Sequence, residues 1–227
     1  MSNVTNLILS SNPIYKNILD PLNKKTSCNW EYIDNKKKFS NEYLNFRGIK
    51  KIFIPHWSFV IPKNIHKNYE CILFHMTDLP YGRGGSPLQN LIKRGYHDTK
   101  ISAIRVNEQI DSGPIYLKKK LSLEGTAGEI FNRSSLIIEK MIIEILNKNP
   151  DPKPQIGTPT YFTRRTPAQS NISGISSLED FYDQIRMLDF EGYPKAFLEF
   201  ENFKIELNNA TFKDKKNLIA NVRIFKK

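Results

Sequence analysis

The sequence predicts an α/β chain, a doubly wound and mostly parallel sheet followed by a small C-terminal α+β tail. Three observations carry that reading. Short apolar runs without alternation, such as 51–57 (KIFIPHW) and 70–75 (ECILFH), mark strands buried on both faces. Strand-like and helix-like stretches alternate through the first 150 residues. After the stiff stretch holding Pro150, Pro152, Pro154 and Pro159, the pattern changes to one helix and several short strands. The chain therefore divides into residues 1–150 and residues 151–227, the latter a connector plus a small C-terminal subdomain.

The elements follow in order. Residues 4–10 (VTNLILS) read as a first buried strand, and Asn12-Pro13 offers an N-cap and first-turn proline for a short helix. Trp30, Tyr32 and Ile33 make 29–33 a strand, and 40–48 is a helix with a capping residue, Ser40 and Gly48, at each end. After the strands at 51–57 and 70–75, Gly82-Arg83-Gly84-Gly85 forms a turn. Ser86 is the expected N-cap of the next helix, Pro87 its first residue, Leu88, Leu91 and Ile92 its apolar stripe and Gly95 its stop. Strands at 100–106 and 114–121 flank a loop with Asp111-Ser112-Gly113. Thr126 and Glu129 form a capping box that opens a long amphipathic helix, with Ile130, Ile138, Met141 and Ile145 on its apolar face, closed by Asn149-Pro150. Residues 178–188 are a second amphipathic helix capped by Ser176 or Ser177, and AFLEF, KIELNNA and LIANVRI within 196–225 are strand-like.

Composition narrows the function classes. With 227 residues, 39% hydrophobic and 25% charged, the chain is globular and large enough for one domain plus an appendage. No apolar run nears the ~18 residues of a membrane span. Met1-Ser2-Asn3-Val4 lacks the charged start of a secretion signal, which predicts a cytoplasmic protein without membrane attachment. Cys28 and Cys71 make neither a disulfide framework nor a four-cysteine zinc site. His56, His66, His75 and His97 form no HxH or HExxH pattern, so no metal is expected. The 34 basic and 23 acidic residues leave a net charge of +11, which favours an anionic partner. The lysine runs at 36–38 and 118–120 read as solvated faces, and the aromatics fall mostly in apolar runs, which argues against nucleic acid.

In doubly wound sheets ligands bind outside the carboxyl ends of the strands. His56, His75 and Asp111 all lie at or just after such ends, so they can share one crevice. A His–Asp pair there suits acyl-type chemistry, because the acid orients the imidazole and the imidazole stabilises charge or moves a proton. The 82–85 turn is either a phosphate cradle or a plain tight turn. It matches neither the P-loop nor GxGxxG, and no GxSxG nucleophile elbow exists.

His75, Thr77, Leu79, Pro80, Arg83, Gly84, Pro87 and Gln89 stand in an ordered pattern, with HWSFVIP (56–62) upstream and Asp111-Ser112-Gly113 downstream. Together they resemble the signature of 10-formyltetrahydrofolate-dependent N-formyltransferases over about residues 50–148. The resemblance implies a Rossmann-like catalytic domain over residues 1–150 and formyl transfer from 10-formyltetrahydrofolate to a primary amine without a metal. It implies catalytic roles for His75 and Asp111, with the pterin near Trp57, Asn107 and Ile110. Gly84, Gly85, Ser86, Pro87, Leu88 and Gln89 would line the folate, and Thr77, Tyr81, Arg83 and Arg165 the acceptor. The family's catalytic asparagine, two residues before the histidine, is Leu73 here, which has no hydrogen-bond donor. His56, at a strand end expected beside that of His75, is the candidate third catalytic residue in its place.

Residues 160–196 (TYFTRRTPAQS…DFYDQIRMLDFEGYPKA) resemble the tail of sugar N-formyltransferases. Methionyl-tRNA formyltransferases carry a larger C-terminal β-barrel, for which the tail after residue 160 is short. The expected acceptor is thus a nucleotide-linked amino sugar of surface polysaccharide biosynthesis, and a homodimer is compatible with that reading. The alternatives are an aminoacyl carrier, of the aminoacyl-tRNA or peptide-synthetase type, and a folate- or nucleotide-binding protein without turnover.

Overall fold

The computed structural model describes residues 4–214 and 216–227, so the start Met1-Ser2-Asn3, read for a secretion signal, lies outside the described residues. Among the described residues the elements run β1 (Thr5–Ser10), α1 (Leu19–Lys25), β2 (Asn29–Ile33), α2 (Asn41–Phe46), β3 (Ile49–His56), α3 (Lys63–His66), β4 (Glu70–His75), β5 (Arg83–Gly84) and α4 (Pro87–Ile92). They continue with β6 (Asp98–Arg105), β7 (Ile115–Ser122), α5 (Ala127–Lys148), β8 (Tyr161–Phe162), α6 (Leu178–Arg186), β9 (Ala196–Phe200), β10 (Phe203–Asp214) and β11 (Asn217–Lys226). They form two compact units interleaved in sequence. The first takes the chain up to Gly84, Thr99–Leu121 and Asn132–Tyr161; the second takes Gly85–Asp98, Ser122–Phe131 and the chain from Phe162 onward.

The first unit is built on a described six-stranded sheet, in the order β2-β1-β3-β4-β6-β7. β1 pairs in parallel with β2 and β3, and β3 with β4, whereas β6 runs antiparallel to β4. This is the mostly parallel, doubly wound sheet expected from the unalternating apolar runs. Leu7, Leu9, Ile52, Ile54 and Cys71 form one cluster with Leu44 of α2 and Ile65 of α3. Phe53 and Phe74 stack at 6.5 Å, and the Tyr15 hydroxyl meets Ser134 Oγ of α5 at 2.8 Å. Each fully buried Leu, Ile or Phe stabilises the sheet by roughly 1.5–3 kcal/mol.

Proline cannot donate to a ladder, and Pro55 lies inside the central strand β3. The chain accommodates it with a register shift. Ile8 pairs with Phe53, but Ser10 pairs with His56, one residue further than alternation predicts. The extra residue exchanges the faces of the two side chains that follow. Trp57 packs on the Ile52–Ile54 cluster, and His56 stacks on Tyr15 at 6.5 Å.

Local signals account for most element starts. Ser40 Oγ accepts the Tyr43 N–H at 3.3 Å, and Asn12 Oδ1 accepts that of Ile14 at 3.1 Å. The helix after Asn12 is a 3-10 turn, Pro13–Ile18, that runs on into α1, an extension the sequence reading did not include.

The second unit contains an antiparallel sheet in the order β11-β10-β9, helix α4, the start of α5, and α6. The predicted capping box is present: Glu129 Oε2 accepts the Thr126 N–H at 2.7 Å, and Thr126 Oγ1 accepts the Glu129 N–H at 3.3 Å. Ser177 caps α6 by accepting the Asp180 N–H at 3.0 Å. Arg186 is buried and donates to the carbonyls of Leu123 and Gly125 at 2.5 and 2.9 Å. Ser86 is not the side-chain cap expected of it. Its backbone is left-handed (φ 50°), and its Oγ accepts the Arg165 N–H at 3.1 Å. The neighbouring backbone explains this: a Cβ at Gly85 would lie 2.6 Å from Arg164 Cβ, so the tail approaches closely and captures the hydroxyl.

Candidate active site

His75 ends β4 with its side chain buried, and Asp111 lies beside it with Oδ2 3.6 Å from His75 Nδ1. That distance is electrostatic contact rather than a hydrogen bond. His75 Nε2 lies 2.8 Å from the Gly82 carbonyl oxygen. A carbonyl only accepts, so Nε2 carries the proton in this arrangement. Asp111 Oδ2 accepts the Gly84 N–H at 2.8 Å. The glycine-rich turn thus contributes its backbone to the His–Asp pair.

The two residues meet by a route different from the one the sequence suggests. β6 is antiparallel to β4, with Ile72 opposite Arg105 and His75 opposite Ser102. The carboxyl end of β6 is therefore remote from that of β4, and the loop after Val106 has to fold back to bring Asp111 to His75. Gly113 permits the return, since a Cβ there would fall 1.7 Å from the Arg105 carbonyl oxygen.

Segment 153–160 joins this centre, which sequence reading missed. Gln155 Oε1 accepts from Arg83 Nε and Nη2 at 3.2 and 2.8 Å, and its Nε2 donates to the carbonyls of Asp111 and Gly113 at 2.8 and 2.9 Å. Thr160 Oγ1 accepts the Gly82 N–H at 2.7 Å. The only sequence signal was the presence of polar Gln155 and Thr160 between prolines. Beneath the turn, Thr77 is fully buried and its carbonyl accepts from Ser102 Oγ at 2.7 Å. Asp78 is partly buried, which pushes its carboxyl up, but Lys118 and Lys100 outweigh this and hold it below the usual carboxylate range.

The remaining predicted residues are distributed as follows. Trp57 meets Phe39 and Phe59 edge-on at 6.0 and 5.4 Å. Asn107 Oδ1 accepts from the Gln109 N–H and Ser112 Oγ, shaping the loop that leaves Ile110 exposed. Tyr81 and Arg83 are half-buried on the turn. Gly85, Ser86, Pro87, Leu88, Gln89 and Arg165 belong to the second unit. There Leu88 and Gln89 are buried, Gln89 Nε2 donates to the Met187 carbonyl at 3.2 Å, and burial pushes the neighbouring Tyr193 phenol up to about 12. Arg165 donates to the Gln169 carbonyl at 2.5 Å, and burial lowers its pKa.

His56 needs a correction. β3 and β4 do pair in parallel, with Ile54 opposite Leu73, as expected. Leu73 packs against the Ile52–Ile54 cluster, so alternation puts His75 on that face too. The shift at Pro55 turns His56 to the Tyr15 side, where its Nδ1 meets Ser11 Oγ at 3.3 Å. His56 therefore faces away from the position the asparagine would serve. An oxyanion donor is worth ~10²–10³ in kcat, and His56→Ala is expected to fall far short of that loss in a steady-state assay.

Among the described residues no group of three or more His, Cys, Asp or Glu side chains is placed to hold a metal ion. None of their helices is long and apolar enough to cross a membrane. The donor set instead fits an acyl group: one buried N–H for a carbonyl oxygen that gains charge, and one carboxylate beside it.

A methionyl-tRNA formyltransferase from Clostridium thermocellum of known structure is 44% identical to this chain, with a TM-score of 0.94 over 99% of this chain and 100% of that one. The chain belongs to the formyltransferase family. Within it, residues 167–225 match the family model described as the methionyl-tRNA formyltransferase C-terminal domain. A curated methionyl-tRNA formyltransferase from Wolbachia sp. subsp. Drosophila simulans is 27% identical over 183 residues, covering 77% of this chain and 60% of that protein. The chain thus spans little more than half the length of the curated relatives it matches. A sugar N-formyltransferase structure from Shewanella sp. is 18% identical, with a TM-score of 0.69 over 91% of this chain and 97% of that one, a likeness of fold alone.

These relatives overturn the nucleotide-linked amino sugar expected as acceptor, and with it surface polysaccharide biosynthesis and the expectation against nucleic acid. The tail judged too short for a methionyl-tRNA formyltransferase is the part that matches that family's C-terminal domain.

Proposed function

We propose that this chain transfers the formyl group of 10-formyltetrahydrofolate to the α-amino group of methionyl-tRNA, in the cytoplasm, with the chemistry carried by His75 and Asp111. The observation that carries this reading is the 44% identity, over nearly the full chain, to a methionyl-tRNA formyltransferase. When bound, 10-formyltetrahydrofolate supplies an activated formyl carbon. His75 Nε2–H is the donor for the formyl oxygen as charge builds there. Because that N–H already bonds the Gly82 carbonyl, the substrate oxygen has to take the carbonyl's place. The Asp111 carboxylate stabilises positive charge on the imidazole. With Oδ2 held by the Gly84 N–H, its Oδ1 is the atom to take the proton that the amine sheds.

The test is direct. The purified protein is incubated with 10-formyltetrahydrofolate and methionyl-tRNA, and the amino acid released from the tRNA is analysed. N-formylmethionine is the expected product, with none when the donor is omitted. Donor binding without any formylmethionine would sink the reading.

A further inference from the structure

We propose that Gln155 is a positioning residue of the active site, holding Asp111 against His75, so that the proline-rich connector is part of the catalytic apparatus. The inference rests on the formyl-transfer reading for its kinetic test and on geometry alone for its structural one. Asp111 has a left-handed backbone, φ 51°. A non-glycine residue keeps such a conformation only where its surroundings over-determine it. Within the loop, Ser112 Oγ donates to Asn107 Oδ1 and the Gln109 carbonyl, and two hydrogen-bonding groups reach it from outside. The Gly84 N–H holds the Asp111 carboxylate, and Gln155 Nε2 holds the Asp111 and Gly113 carbonyls on either side of Ser112.

The other end of the same amide reaches the opposite wall. Gln155 Oε1 takes both Nε and Nη2 of Arg83. Arg83 lies between Gly82, whose carbonyl meets His75 Nε2, and Gly84, whose N–H meets Asp111 Oδ2. Gln155 thus closes a ring through Arg83, the glycine turn, His75, Asp111 and back to itself. The strap that carries it is fixed at both ends. Lys153 exchanges both backbone hydrogen bonds with Ile115 at 2.7 and 2.9 Å, and the Thr160 carbonyl accepts the Arg83 N–H at 2.9 Å. Glutamine matches this demand because a carboxamide has one acceptor and two donor hydrogens. A carboxylate would keep Arg83 but face two carbonyl oxygens with no proton to share.

Gln155→Ala and Gln155→Glu distinguish this role from a plain tether. Displacing a catalytic group by about 1 Å costs ~10²-fold, and both variants are expected to lose kcat on that scale while the KM for the folate donor stays near wild type and the protein remains folded by circular dichroism. A normal kcat in Gln155→Ala would overturn the proposal. So would restored kcat in Gln155→Glu, which would mean that only the Arg83 link matters. Hydrogen exchange at the Gly84 amide needs no substrate. In Gln155→Ala it is expected to accelerate about tenfold or more, to the rate seen in Asp111→Ala, because its acceptor is no longer held. If the wild type gives no formylmethionine, the functional reading fails, and the exchange result alone decides: acceleration supports the positioning role and an unchanged rate overturns it.

Discussion

Alanine at His75 is expected to lower kcat/KM for formyl transfer by ~10³-fold, the combined scale of a lost oxyanion donor and lost acid–base help. Asp111→Ala is expected to come close to it, and the double variant to be little worse than His75→Ala. The reason is geometric. Asp111 works beside His75, its Oδ2 3.6 Å from Nδ1, and the proton it takes from the amine matters only where His75 holds the charged oxygen, so removing it from an enzyme that already lacks His75 removes little more. Asp111→Asn separates two contributions: the amide oxygen can still accept from Gly84, but the charge beside the imidazole is gone. A large loss in Asp111→Asn therefore assigns the effect to charge, and a small one assigns it to loop position. Additive losses in the double variant, measured as free energies from kcat/KM, would break the idea that the pair acts as a unit.

What could be read in the residues was mostly what short stretches decide for themselves. The runs KIFIPHW and ECILFH became β3 and β4 because a strand covered on both faces has no polar side to show. Ser40, Ser177 and the Thr126–Glu129 box cap helices because a cap is satisfied within four residues of chain. What could not be read depended on the path between elements. The direction of β6 is a property of the segment joining it to β4, and nothing in KISAIRV encodes it. Pro55 was visible, and a proline in a central strand signals a bulge. Its consequence, that His56 and Trp57 change faces, emerges only once the register with β1 is known. Gln155 escaped because its partners lie some 40 and 70 residues away, at Asp111 and Arg83.

The acceptor was misjudged for a related reason. On the proposed reading His75, Asp111 and the glycine turn serve the formyl group and not the amine, so they hold no information on which amine arrives. Tail length is a weak discriminator among acceptors. The three-stranded sheet of β9, β10 and β11 falls within a stretch matched by the methionyl-tRNA formyltransferase C-terminal model. The net charge of +11 suits a nucleotide-linked sugar and a tRNA alike, so it favours an anionic acceptor without choosing between them.

That charge makes the second large prediction. On the methionyl-tRNA reading, the acceptor is a polyanion meeting a chain of net charge +11. Each phosphate neutralised by Lys or Arg releases counterion, and the logarithm of affinity falls by about 0.9 per contact for each tenfold rise in salt. About four such contacts, over a rise from about 50 to about 200 mM salt, raise the KM for methionyl-tRNA by ~10²-fold. The folate donor carries few charges by comparison, so its KM is expected to change little over the same range. Chemistry at His75 and Asp111 occurs in a buried site that salt screens weakly, so kcat at saturating acceptor is expected to hold. The measurement is a set of steady-state curves at three or four salt concentrations, each substrate varied in turn. An acceptor KM indifferent to salt would mean that the enzyme grips only the aminoacyl end, and the basic surface would then have no part in recognising the tRNA.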